Sequence, residues 1–225
     1  MSHVLAFVEP IKLGPDEEIM LMAFLAELRE GTRGYKASLA QLLRGEEATE
    51  HIQALRPNEY GHFVSPFFPG TDRLGTEEQA LLKALGYYVD DSARACLTKP
   101  ETRGYDEVHR ITSSYRSVIV PGTIIEDDSK RKSKALLEFC KKNFGYEKPR
   151  AGIMPSVRRF FSKNRLAEMG IESIVGLHDP LSDQYDLPAN LCVHRDDPFH
   201  FSAVRPKEDG TWCRKRWFAL SLPTV

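Results

Sequence analysis

The chain has 225 residues, of which 41% are hydrophobic, 28% charged and 10% aromatic, with 31 Lys+Arg against 32 Asp+Glu. That length allows one large domain or two small ones, with a core that needs no disulfide or metal staple. The composition excludes disordered, collagen-like and membrane classes, and the net charge of −1, taken as a total, says nothing about partners.

Residues 3–8 read as a short strand. Pro15 then opens a helix over residues 15–31, with Asp16, Glu17 and Glu18 in the first turn, where carboxylates complement the dipole. Ile19, Met20, Met22, Phe24, Leu25 and Leu28 make this helix apolar nearly all round, which predicts a central core position. Residues 37–44 and 46–56 predict two shorter helices, the second stopped by Pro57. Residues 58–75 read as a long loop. Its aromatics Phe63, Phe67 and Phe68 either pack down onto the core or serve a binding role.

Thr76 and Gln79 have capping-box spacing for a helix that ends before Gly86. Further helices are expected near residues 92–97 and 106–115. Asp90 and Asp91 read as a surface turn or helix cap. From residue 117 the pattern becomes β-branched. Residues 117–125 predict a strand interrupted at Pro121 and Gly122. Two basic helices follow, over 129–143 and 155–169. Strands are expected over 171–177, 190–194, 199–205 and 212–220. The last two surround the turn Lys207-Glu208-Asp209-Gly210 and read as a hairpin, with His200 facing Trp217 and Val204 facing Cys213. The fold class expected is α+β. A mostly helical part, 1–116, precedes a part, 117–225, with a mixed, mainly antiparallel sheet of about five strands; the two could share one domain.

The four cysteines, Cys96, Cys140, Cys192 and Cys213, form no CxxC pair, so free thiols are expected, unless Cys192 and Cys213 meet in the sheet. Residues 1–10 lack the basic region and apolar length of a signal peptide. The longest apolar run, 19–26, falls short of the ~20 residues that span a bilayer. A cytoplasmic protein with no membrane contact is expected.

Charge is split along the chain. Residues 1–128 hold 13 Lys+Arg and 21 Asp+Glu, a balance of −8, and residues 129–225 hold 18 and 11, a balance of +7. Residues 129–165 alone hold 12 basic residues against Glu138 and Glu147. This density either binds phosphates, through counterion release, or docks on the chain's own acidic half. A second basic run, Arg214-Lys215-Arg216, lies between Trp212 and Trp217. The anion-binding candidates are Arg158, Arg159, Arg195, Arg205, Arg214 and Arg216.

The densest polar constellation is 194–200. In an extended segment His194 and Asp196 share a face, and a turn at Asp197-Pro198 brings His200 alongside. Two imidazoles and a carboxylate are the ligands of a facial triad for a divalent metal. Without metal, they are a general base with its orienting carboxylate. Cys192, on the same face as His194, adds a Cys/His nucleophile arrangement. The bland alternative is that Asp196 and Asp197 only make the turn. Asp179, Asp183 and Asp186 form a loose acidic loop able to hold a divalent cation. Three readings of function stay open. One is a small intracellular enzyme that acts on an anionic small molecule through His194, Asp196, His200 and Cys192, with a divalent metal as its candidate cofactor. The others are a nucleic-acid-binding protein using 129–165, and a protein-interaction or regulatory module without chemistry.

Overall fold

Residues 117–121 show how the centre of the fold is built. In the computed structural model, β3 (Ser117–Pro121) turns Val118 and Val120 to one face of a sheet and Ile119 to the other, and all three are buried. A strand with apolar residues on both pleat faces needs cover on both sides. The same alternation recurs along three more strands. In β4 (Ser173–Gly176) it sets Ile174 against Val175; in β6 (Pro188–His194), Leu191 and Val193 against Cys192. In β8 (Trp217–Ser221) it sets Ala219 against Phe218 and Leu220. The structure describes residues 57–65, 67–100, 104–161, 163–195 and 200–223. The strand expected over 3–8 and the helices expected over 15–31, 37–44 and 46–56 lie outside the described residues.

The remaining strands are β1 (Phe63–Val64), β2 (Tyr88–Val89), β5 (Leu181–Ser182) and β7 (His200–Val204). The order across the sheet is β1-β3-β8-β4-β6-β7-β2, with β5 paired to β6. Pairing is antiparallel except for β4 with β8 and β2 with β7. The α+β class therefore holds, but among the described residues the sheet has eight strands rather than about five. The additional three, β1, β2 and β5, are two residues long, too short for an alternation to register in sequence. Two of them, β1 and β2, precede residue 117 and join the same sheet.

The expected hairpin between β7 and β8 does not form. The turn closes locally, with the Lys207 N–H donating to Thr211 O at 2.8 Å and Gly210 at φ +79°. The chain then leaves β7, because the Trp212 N–H donates to Arg131 O at 2.8 Å. β8 instead fills the centre between β3 and β4, where its two apolar faces are both covered.

In chain order the helices are α1 (Gly75–Ala84), α2 (Asp91–Thr98), α3 (Ser133–Phe144), α4 (Ile153–Phe160) and α5 (Lys163–Glu168). Leu82 of α1, Ala93 and Leu97 of α2, and Ile153, Met154 and Val157 of α4 pack on the face of Ile119, Ile174, Leu191 and Ala219. Leu136 and Cys140 of α3, with Tyr146 and Trp212, cover the other face. Expected helix 155–169 is split into α4 and α5. Expected helix 106–115 shrinks to one wide turn, Tyr105–His109. The capping-box carboxylate of α1 comes from Glu77, which accepts the Leu74 N–H at 2.7 Å, two residues before the expected pair. The helix starts at Gly75 because it crosses Leu97, where a Cβ would lie 1.8 Å from the carbonyl oxygen. In the aromatic loop, Phe68 packs on Tyr115 and Phe160 and Phe63 on Trp217, while Phe67 stays 69% exposed. Among the described residues no helix is long and apolar enough to cross a membrane.

Candidate functional site

β6 ends on His194 and β7 begins on His200. Their register pairs Cys192 with Ser202 and Val193 with Phe201, so one further step sets His194 opposite His200. On the other side of β6, Ser173 pairs with His194, and on the other side of β7, Tyr88 pairs with His200. Ile174 pairs with Trp217, which sets Ser173 beside Arg216. One row therefore crosses five neighbouring segments: Arg216, Ser173, His194, His200 and Tyr88. Pleating puts Cys192, two residues before His194, on the same face.

Contacts along the row are close. The Arg216 Nη1 donates to Ser173 Oγ at 3.0 Å and lies 3.5 Å from Cys192 Sγ. Cys192 Sγ is 3.4 Å from His194 Nε2. The His200 and Tyr88 rings are 5.1 Å apart between centroids. Ser173 and Cys192 are buried, His194, His200 and Arg216 are half-buried, and Tyr88 is 63% exposed. The row thus rises from the sheet interior to solvent at the β2 edge.

Asp90 completes it. Its Oδ1 accepts the Ala93 N–H at 2.6 Å as the N-cap of α2, and its Oδ2 lies 3.6 Å from His200 Nε2. Burial raises the Asp90 carboxyl above its ordinary range, opposed by the Ala93 amide and by His200. Sequence reasoning assigns Asp90 a turn or cap and misses its neighbour. Only the parallel pairing of β2 with β7 brings the two together, and no turn between them signals it. Burial pushes the Cys192 thiol up to about 12, against the lowering by Arg216. A nucleophilic cysteine needs the opposite shift. Cys192 is buried and Cys213 exposed, and both are free thiols.

The other predicted residues are spread more widely. Asp196 lies outside the described residues. Arg158 is 1% exposed and donates to His194 O at 3.1 Å and to Phe161 O at 2.5 Å, so it holds the end of β6 through the backbone. Arg159 donates to Ser156 Oγ and lies 3.7 Å from the buried carboxylate of Glu78. Arg205 forms a two-pronged pair with Asp183. Arg195, half-buried, follows His194, and its N–H donates to Glu172 O. Arg214 is exposed. Arg216 stands in the row and Arg195 at its margin.

The acidic loop is occupied by cations of the chain itself. Asp183 is met by Arg205, Asp186 by Lys99, and Asp179 by Lys148. Burial raises the Asp183 carboxyl, but Arg205 and the Tyr185 and Leu187 amides outweigh it and hold it low. Among the described residues no group of three or more His, Cys, Asp or Glu side chains is placed to hold a metal ion. The basic segment is not one outward stripe. Lys132, Lys134, Lys141 and Lys142 are exposed, whereas Arg131 and Arg158 are buried. Arg131 donates to Gly122 O at 2.7 Å, Ile125 O at 2.8 Å and Asp128 at 2.7 Å.

The chain matches no family model, no curated protein and no solved structure.

Proposed function

We propose that this row is the substrate face of a small enzyme that acts on an anionic substrate. The observation that carries the proposal is the row itself: a cation, a hydroxyl and two imidazoles in register on one sheet face, opening to solvent. Arg216 neutralises the anion; a guanidinium suits the planar oxygens of a carboxylate or phosphate. His194 and His200 face each other across one strand pair, where opposing side chains come about 5 Å apart. One takes a proton from the attacking group and the other returns one to the leaving group. Asp90, fixed by the N-terminus of α2, keeps a carboxylate oxygen 3.6 Å from His200 Nε2, where it pairs with the ring once that ring takes up a proton. Cys192 stays a protonated thiol that packs beneath the row.

The proposal is tested by titrating the protein with inorganic phosphate while the histidine ring signals are followed by NMR. The His194 and His200 signals shift in a saturable manner, and Arg216→Met weakens binding by roughly 10- to 150-fold, the worth of a charged hydrogen bond. Circular dichroism confirms that the variant is folded. No movement of either ring at ~20 mM phosphate, or equal affinity in Arg216→Met, overturns the proposal. Repeating the titration with Zn²⁺ or Mn²⁺ tests whether the two imidazoles take a metal. A screen of phosphate and carboxylate esters, with His194→Asn as control, identifies the bond that is broken.

A further inference from the structure

The row ends on Tyr88, which has no part in proton transfer. We infer that the anion bound here is the phosphate of a nucleotide whose base stacks on Tyr88. The inference rests on the anion-site reading above and names its substrate class.

The Tyr88 ring stands at the sheet edge, 63% exposed and directly beside His200. A large exposed aromatic ring next to a polar, cation-bearing row offers a π-face that every base can cover. Spacing fits the same ligand. The Arg216 guanidinium reaches Cys192 on β6, and Tyr88 is on β2. Two strand spacings and two residues along the strand, together about 12 Å, separate those positions, a gap that one nucleotide bridges from phosphate to base once side-chain reach is counted. His194 and His200 stand between them, within reach of phosphate and ribose oxygens. Among the described residues, the carboxylates beside the row are engaged: Asp90 by the Ala93 amide and His200, and Glu172 by Lys215 at 3.5 Å. Exposed Arg214 adds a second positive charge two residues before Arg216. An anion without a flat ring system leaves the Tyr88 face uncovered.

The test compares ribose 5-phosphate with adenosine 5′-monophosphate by calorimetry on the full chain; the two ligands differ only by the base. The nucleotide binds about 5- to 150-fold more tightly, the range that one base on one ring supplies. Tyr88→Ala removes that gain and Tyr88→Phe keeps it. Because Tyr88 is exposed, neither variant disturbs the core. Equal binding of the two ligands, or a gain that survives Tyr88→Ala, overturns the inference and leaves the anion site standing. If ribose 5-phosphate, inorganic phosphate and the nucleotide all fail to bind, the anion-site reading falls with it. A hexa-adenylate arm separates the two sources. Tighter, salt-sensitive binding than the mononucleotide identifies a strand, and equal binding identifies a free nucleotide; both outcomes keep the inference.

Discussion

His178 sets a pH limit on this fold. It is 3% exposed, with its ring centroid 5.5 Å from that of His109 in an edge-to-face arrangement. The Leu191 N–H donates to His178 Nε2 at 3.0 Å, so the ring proton sits on Nδ1 and is donated to Asp179 O at 2.7 Å. Both nitrogens are used by the neutral form. Burial, reinforced by His109 and opposed by the Asp179 carbonyl, lowers the imidazole from 6.5 to about 3. The unfolded chain therefore binds a proton between those values that the folded chain refuses, and stability falls as pH falls. A shift of that size amounts to about 5 kcal/mol when the pH has passed both values, and to roughly 2–3 kcal/mol between about pH 7.5 and 4.5. Urea unfolding of wild type and His178→Gln at those two pH values measures it. Glutamine keeps an acceptor for the Leu191 amide, so the variant folds with some loss at neutral pH. Its further loss on acidification is smaller than that of wild type by roughly 2–3 kcal/mol. The low-held carboxyls of Asp127, Asp128, Asp183 and Asp209 also lose stabilisation in acid, but they do so in both proteins and cancel. Parallel acid losses in the two proteins refute the reasoning.

Arg131→Met leaves the Gly122 and Ile125 carbonyls without their donor in a buried site; a loss of roughly 2–5 kcal/mol is expected by urea unfolding, and a loss under about 1 kcal/mol contradicts the strut assignment. Gly75→Ala drives a Cβ into Leu97 O, so α1 and α2 must separate; the variant loses about 3 kcal/mol or more, or fails to accumulate folded, and a near-neutral melt shows that the crossing is looser than described. Cys96, Cys140 and Cys192 are buried, with the last two thiols pushed up to about 12, so iodoacetamide labels native protein at Cys213 alone and labels all four cysteines in denaturant. Mass spectrometry of the native product reads this directly, and rapid native labelling of Cys192 counts against the buried row.

The five strands expected over residues 117–225 are the five long ones, β3, β4, β6, β7 and β8. Each carries consecutive apolar, often β-branched residues, which state the need for burial without reference to neighbours. The partners are a different matter. A Lys-Glu-Asp-Gly turn predicts that the strands beside it pair, and here it fails. The preference of Phe218, Ala219 and Leu220 for cover on two faces outweighs the local turn. The helix expected over 155–169 breaks for a comparable reason. The break falls at Phe161, whose backbone turns extended (φ −94°, ψ 92°) while its ring stays in the core and meets that of Phe160 edge to face at 5.0 Å. Charge counting misleads in one definite way. Arg131 and Arg158 enter the sum of the basic segment as if they faced solvent, while the fold spends both on backbone carbonyls.

The candidate site was half legible for a physical reason. His194, His200 and Cys192 belong to one antiparallel pair, whose period and short connection bring them together, so the chain itself announces them. Ser173, Arg216, Tyr88 and Asp90 enter through strands placed by crossovers, and nothing local relates position 88 to position 200. Parallel pairing carries no turn to read. What it does carry is a constraint on chemistry. A parallel neighbour whose strand leads into α2 delivers Asp90 with one carboxylate oxygen already bound by the helix terminus and the other aimed at His200. The orientation of the imidazole is thereby coupled to the start of α2, which packs through Ala93 and Leu97 into the main core. Mutations that loosen α2, such as Gly75→Ala at its crossing with α1, should therefore disturb the His200 ring before they disturb His194, which is tied instead to Arg158 and β4.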